Sequence, residues 1–146
     1  MKRGFTLIEI TIVMAIMGTI MGASLLSIKY YKYIQNKIMV DYNCNEVISF
    51  INNSKMYCKE NSCSAVITFD KIGNKIMLDR GLYTVNKLIL PKNISLSDLT
   101  GTQWDDHFLI NRRGATGDAG SITLMDNNKK IYIIRMGVGT VYVDRE

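Results

Sequence analysis

The stretch KRGFTLIEITIVMAIMGTIMGASLLSI, residues 2–28, decides the fold of the N-terminal part of this chain. From Ile10 to Ile28 it holds 19 residues without a charge, which in a helix would extend over about 29 Å. That length matches the hydrocarbon thickness of a bilayer. Because two basic residues precede the apolar run, its N-terminal end is expected to stay on the cytoplasmic side. The stretch therefore predicts a single-pass helix in the cell membrane, with the rest of the chain extracytoplasmic.

Two other membrane-targeting segments share some of these features. An ordinary secretory signal has an apolar region of roughly 7–15 residues, whereas the apolar stretch from Phe5 to Ile28 is 24 residues long. A plain signal anchor has a suitable length, but this stretch also contains Glu9. A carboxylate inside a spanning helix is strongly unfavourable unless it is paired. Glu9 therefore indicates a segment whose carboxylate acquires a partner.

Residues 2–9, KRGFTLIE, resemble the processing site of type IV pilins and type II secretion pseudopilins. The match consists of Gly4 before the cut, Phe5 after it, and Glu9 five residues into the mature chain. The resemblance implies that a prepilin peptidase cuts between Gly4 and Phe5 and N-methylates Phe5. Gly4 suits that site because a residue without a side chain lets a protease approach the backbone closely. The chain would then comprise a leader, residues 1–4, a transmembrane and filament-core helix, residues 5–28, and a pilin domain, residues 29–146, that includes the second half of the helix.

The resemblance also supplies a partner for Glu9. Cleavage creates a free amine at Phe5, and in a filament of packed helices this amine meets the Glu9 carboxylate of a neighbouring subunit. Neutralisation of the two charges would then set the stagger between subunits, and Thr6 is assigned to assembly together with Glu9. The expected partners are the prepilin peptidase, other pilin or pseudopilin subunits, the inner-membrane assembly platform and membrane lipid.

Two features of the apolar helix bear on its packing. Many major pilins carry a helix-kinking proline at the twenty-second mature position, where this chain has Leu26. A kink at that point is therefore not expected from the sequence. Gly18 and Gly22 form a small-xxx-small pair, which lets helices approach closely in a membrane. Alternatively, the two glycines loosen the helix locally.

The helix is expected to continue beyond the membrane, because residues 29–58 contain no proline and no glycine. Within them, apolar and small residues recur at three- and four-residue steps, which is typical of one face of an amphipathic helix. That face consists of Val40, Cys44, Val47, Ile51, Ser54 and Cys58, whereas Asp41, Asn45, Asn52, Asn53 and Lys55 lie elsewhere on the helix. We predict one helix from Phe5 to about Cys58.

The remainder of the chain is typical of short β-strands separated by turns. Predicted strands are residues 64–69, 76–78, 82–90, 108–111, 121–125, 130–136 and 140–143. Turns are predicted at Gly73-Asn74, at Arg80-Gly81 and in residues 126–129, and residues 92–106 are predicted to be a loop. The predicted fold class is α+β, with the long N-terminal helix packed on an antiparallel sheet as in pilins.

The C-terminal half carries a second resemblance. A phenylalanine, a glycine-rich loop and two strands, from Phe108 onward, are similar to the C-terminal part of GspH/FimT-like minor pseudopilins and competence pseudopilins. The arginine expected after the last glycine is missing, because Thr140 follows Gly139. Ordinary turn geometry also explains these glycines. The resemblance favours a minor subunit.

Composition and motifs give no indication of an enzyme. The chain has 146 residues, enough for one domain, and a net charge of +5. Its one histidine, His107, stands beside Asp105 and Asp106, but adjacent residues rarely converge on one ion, so no metal site and no cofactor are expected. Trp104 is interpreted as a packed loop anchor, and contact with a partner is the alternative.

The cysteines suggest a disulfide. Cys58 and Cys63 stand five positions apart at the predicted helix-to-strand connection. A disulfide is chemically allowed outside the cytoplasm, so a Cys58–Cys63 bridge is predicted, with three buried thiols as the alternative. Cys44 cannot bond to Cys58 within a straight helix, because about 21 Å separates them.

The function predicted from these observations is a structural subunit, of the minor class, of a type IV pilus or a type II secretion-like pseudopilus. A major pilin is one alternative, and a membrane-anchored protein outside any filament is another. A third is a competence subunit that binds DNA for uptake through Arg112 and Arg113, with Lys129 and Lys130 extending the basic patch. A solvated loop explains the same arginines.

Overall fold

The computed structural model describes residues 6–101, 106–137 and 140–144, without the side chains of residues 25, 26 and 140–144. The predictions made for Gly4, Phe5, Trp104, Asp105 and Gly139 concern residues outside this description, and Leu26 is described by its backbone alone. The chain divides into two compact units, Met1–Met39 and Val40–Glu146. Each unit is treated below by itself.

One helix, α1, extends from Leu7 to Glu60 and confirms the prediction of a helix that continues past the apolar segment. It is helical through Gly18, Gly22 and Leu26, so neither glycine interrupts it. Its C-terminal end is closed by a Schellman motif, in which the N–H of Cys63 donates to the Cys58 carbonyl at 3.0 Å.

The predicted apolar face of α1 is confirmed in its second half. All six predicted residues are buried, namely Val40, Cys44, Val47, Ile51, Ser54 and Cys58. The placement of Lys55 away from that face was wrong, because only 9% of its surface is exposed. Asn43 is buried as well. The buried stripe is therefore wider than the sequence pattern suggested, and it includes polar side chains.

The strands form two four-stranded antiparallel sheets rather than the one sheet predicted. They are β1 Ala65–Asp70, β2 Lys75–Arg80, β3 Tyr83–Ile89, β4 Ile94–Thr100, β5 His107–Ile110, β6 Gly120–Asp126, β7 Ile131–Gly137 and β8 Thr140–Asp144. The first sheet has the order β3-β2-β1-β5, and the second has the order β4-β6-β7-β8. The α+β class is confirmed, as is each of the seven predicted strands to within a few residues.

The prediction that residues 92–106 form a loop was wrong, because β4 occupies Ile94–Thr100. Ile94, Leu96 and Leu99 of β4 are buried. The register against β6 shifts between Leu96 and Asp98. This bulge breaks the strict alternation of apolar and polar residues by which a strand is recognised. The sequence pattern therefore did not indicate this strand.

The three predicted turns are present, and one of them also links the two sheets. The Asn74 side chain, beyond the end of β1, accepts from the Leu96 N–H at 3.0 Å and donates to the Ile94 carbonyl at 2.7 Å. These bonds join the β1–β2 turn of the first sheet to the edge of β4 in the second. Helix and sheets share one core cluster, which contains Val47 of α1, Ile67 of β1 and Ile122 of β6.

Candidate functional site

The N-terminal end of α1 is closed by a reciprocal pair of hydrogen bonds between Thr6 and Glu9. The Thr6 N–H and hydroxyl donate to Glu9 Oε2 at 2.8 and 3.0 Å, and the Glu9 N–H lies 3.4 Å from Thr6 Oγ1. The sequence T-x-x-E in this position is a capping box, which satisfies N–H groups that a helix otherwise leaves unpaired at its start. The motif explains why α1 begins at Leu7.

The capping box uses one oxygen of the Glu9 carboxylate. Both bonds that the side chain accepts go to Oε2, and within the described residues Oε1 has no partner. The negative charge also lies in the first turn of α1, where the helix dipole favours it. Glu9 is therefore held in a fixed position and retains one oxygen that can accept a further bond.

The hydroxyl groups of the apolar segment all bond to their own helix. Thr11, Thr19, Ser24 and Ser27 donate to carbonyls three or four residues earlier, at 2.8–3.1 Å. In hydrocarbon, polar groups must be satisfied within the segment. These bonds make the segment compatible with lipid in spite of its polar residues.

The outer surface of the apolar segment is open in the unit Met1–Met39. Its most apolar window is long enough to cross a membrane, and none of that window is buried. A side-chain carbon placed at Gly18 or Gly22 would meet nothing within 4 Å. The glycine pair therefore presents a free small-residue surface. Close packing against a second helix at this surface stays a prediction.

Comparison with known protein families identifies the N-terminal segment. Residues 1–25 match a family model described as the prokaryotic N-terminal methylation motif. This match covers 25 of the 146 residues and supports the resemblance of the N-terminal segment to type IV pilins and pseudopilins. No curated protein and no solved structure matches it. The matched residues contain both members of the capping box and most of the uncharged run Ile10–Ile28.

The two arginines proposed to contact DNA lie in the loop between β5 and β6. Arg112 and Arg113 are exposed. The Asn111 side chain holds the loop by accepting from the N–H groups of Arg113 and Ala115 at 2.9 and 3.1 Å. The arginines are thus displayed on an ordered loop.

Lys129 and Lys130 do not extend this basic loop, contrary to the prediction. The arginine loop follows Ile110, which pairs with Ala65 at the start of β1. The two lysines follow Asp126, which pairs with Ile94 near the opposite end of β1. A seven-residue strand, β6, separates the two turns by about 20 Å. The basic residues therefore form two separate sites.

His107 makes a local contact with its neighbour. Its Nδ1 atom lies 2.7 Å from Asp106 Oδ1. Among residues 6–101, 106–137 and 140–144, no group of three or more His, Cys, Asp or Glu side chains is placed to hold a metal ion. Adjacent polar residues here form a surface pair.

Two buried polar atoms that sequence reasoning missed lie in the region of α1 and the β5–β6 loop. Lys55 Nζ and Thr116 Oγ1 are buried, and neither atom has a hydrogen-bond partner among the described residues. The loop is packed tightly on α1 here, since a side-chain carbon at Gly114 would lie 2.6 Å from the Lys55 carbonyl oxygen. Burial lowers the pKa of Lys55 below its usual value of 10.5. No pattern in the sequence marks a lysine that the fold will enclose.

Replacing Lys55 with methionine should stabilise the unit Val40–Glu146 by about 1–3 kcal/mol, because an unsatisfied buried donor is removed while the chain length of the residue is kept. The gain should be largest below the folded-state pKa of Lys55, where the buried amine is protonated. The lowered pKa means that the unfolded chain binds more protons between that pKa and 10.5. Wild-type stability should therefore rise with pH in that window.

Thermal unfolding of the full chain in detergent, measured across pH, checks this result. Lys59→Met, one turn further along α1 at an exposed position, is the control and should change little. A wild-type pH slope that Lys55→Met leaves intact would contradict the assignment of that slope to Lys55.

Proposed function

We propose that this chain is a structural subunit of a helical filament, either a type IV pilus or a type II secretion-like pseudopilus. Prepilin peptidase cuts it after Gly4 and methylates Phe5. The apolar segment first anchors the subunit in the membrane, with residues 29–146 outside the cytoplasm, and then enters the filament core. Its work is packing against other subunits, and we propose no catalytic role.

The observation that carries this proposal is the state of Glu9 at the start of an exposed apolar helix. Thr6 fixes one carboxylate oxygen, and the other has no partner among the described residues. The amine of a neighbouring Phe5 is a cation of suitable size and charge for that oxygen. An isolated membrane anchor would have no use for the remaining charge. Assembly of several copies gives it one.

Within this class we propose a minor subunit. Leu26 in place of the proline of many major pilins and the resemblance of the C-terminal half to minor pseudopilins both favour it. A major pilin would dominate a sheared filament fraction, so relative abundance in that fraction separates the two. A DNA-uptake role would appear as salt-dependent affinity for duplex DNA that is lost in Arg112→Ala/Arg113→Ala.

The intact mass of the membrane-extracted protein tests the processing step. We expect a chain that begins at Phe5 and carries one added methyl group. Gly4→Val should block the cut, because a branched side chain hinders close approach of a protease to the backbone, and the full precursor mass should remain. Gly22→Ala, within the helix and away from the cut, should be processed like the wild type.

An uncut wild-type chain in cells that process other prepilins would contradict the proposal. A cut and methylated chain that never appears in a sheared filament fraction would preserve the processing step and reject the filament role.

A further inference from the structure

The end of α1 brings Cys58 and Cys63 together through the geometry of the helix cap. In the Schellman motif, Cys58 is three residues inside the helix end and Cys63 lies just beyond it. The Ser62 N–H donates to the Lys59 carbonyl at 3.3 Å, and the Cys63 N–H donates to the Cys58 carbonyl at 3.0 Å. Ser62 adopts the left-handed conformation that this motif requires, with φ 48°. The motif commonly brings these two side chains into contact.

The two thiols are neighbours in one buried environment. Cys63 interacts with the Cys58 thiol and contributes to the rise in its pKa. Both residues are free thiols in the structure, with exposed fractions of 0% for Cys58 and 6% for Cys63. Cys44, the third cysteine, lies 14 residues before Cys58 on the same helix, about 21 Å away. Only the first pair therefore has the proximity that a bond between sulfurs needs.

We propose that Cys58 and Cys63 form a disulfide that fastens the end of α1 to the start of β1. The inference rests on the proposed extracytoplasmic position of residues 29–146, where thiols can be oxidised. Each thiol gives up one proton and one electron as the S–S bond forms. The acceptor is the disulfide of an extracytoplasmic thiol oxidant, which is reduced to two thiols by exchange through a mixed disulfide.

The environment of the pair also determines when the bond forms. Burial, and to a lesser degree the neighbouring Cys63, raises the pKa of Cys58 to about 11. The thiolate is the attacking species, and at neutral pH about one Cys58 thiol in ten thousand would be ionised in the folded domain. Oxidation should therefore precede burial. Because the Schellman motif is local, the two cysteines can meet before the sheets are complete.

Counting alkylated cysteines by intact mass tests the proposal on the full chain, extracted from membranes into denaturant with an alkylating agent. Without reductant, the wild type should gain one alkyl group, at Cys44, and after reduction it should gain three. Cys44→Ala should gain none before reduction and two after it. Cys58→Ala and Cys63→Ala should each gain two under both conditions, which excludes a bridge that involves Cys44.

Orientation is checked separately on spheroplasts from the same cells, so that the result identifies which proposal fails. External protease on spheroplasts should cleave residues 29–146. Suppose that the protease cleaves residues 29–146 and that the wild type gains three alkyl groups without reductant. This result would overturn the disulfide and leave the filament role standing. A domain inaccessible to the protease would overturn the orientation, and the disulfide with it. A Cys58–Cys44 or Cys63–Cys44 bond would also overturn the assignment.

Discussion

Glu9→Ala should reduce the amount of this chain in sheared filaments at least about tenfold, while its amount in the membrane stays the same. Alanine removes the carboxylate oxygen that we propose to meet the Phe5 amine of a neighbouring subunit. The amine would then enter an apolar filament core without a counter-charge, which is unfavourable in a low dielectric. Immunoblots of sheared and membrane fractions measure both quantities.

Two control variants separate the charge of Glu9 from its role in the helix cap. Glu9→Gln keeps a side-chain acceptor for the Thr6 groups, as capping boxes accept glutamine, but it carries no charge. Thr6→Ala removes the cap hydroxyl and keeps the charge. If charge neutralisation drives assembly, Glu9→Gln should be depleted from sheared filaments as strongly as Glu9→Ala. Thr6→Ala should be depleted less. Normal filaments in Glu9→Gln would falsify the charge mechanism and leave the cap as the function of this residue.

Phe108→Ala should destabilise the unit Val40–Glu146 by about 3–5 kcal/mol, which is the usual effect of deleting a buried phenylalanine. Phe108 is 1% exposed. Its ring meets that of Phe69 edge to face, at 5.7 Å between centroids. A side-chain carbon at Gly120 would lie 2.8 Å from the Phe108 ring, so the ring fills the space that this glycine leaves. The free energy of unfolding of a domain of this size is about 5–15 kcal/mol, so the substitution would remove much of the stability.

The neighbouring residue supplies a matched control. Leu109 stands on the same strand but is 54% exposed, and Leu109→Ala should change the unfolding free energy by about 0.5 kcal/mol or less. Chemical denaturation of both variants in detergent measures the difference. Equal losses in the two would contradict the burial that the structure assigns to Phe108.

The sequence predicted the helical part well because its signals are local. An uncharged run of membrane length and a repeat at three- and four-residue steps both follow from the geometry of one helix. The face from Val40 to Cys58 is buried as predicted. The T-x-x-E pattern of a capping box is also local, and the structure shows its bond between the Thr6 N–H and Glu9.

The sheets were harder to predict because their pairings depend on residues far apart in the chain. β1 pairs with β5, some 40 residues later, and the division into two sheets follows from that pairing. No local pattern specifies which strands become neighbours. A bulge hid β4, and the burial of Lys55 depends on a loop that closes over α1. The separation of Arg112 and Arg113 from the lysine turn likewise follows from the strand order.

The hydroxyl-bearing positions of the apolar segment and Glu9 should differ strongly in the substitutions that they tolerate. Changing Thr11, Thr19, Ser24 or Ser27 to alanine removes a donor without leaving an orphan carbonyl, since each carbonyl already serves the helix ladder. These positions require only a side chain of suitable volume and low polarity, and many residue types fulfil both requirements. Glu9 differs from them, because the contact that we propose for it depends on its carboxylate charge. We therefore expect the segment to tolerate many compositions but to require an acidic residue at position 9.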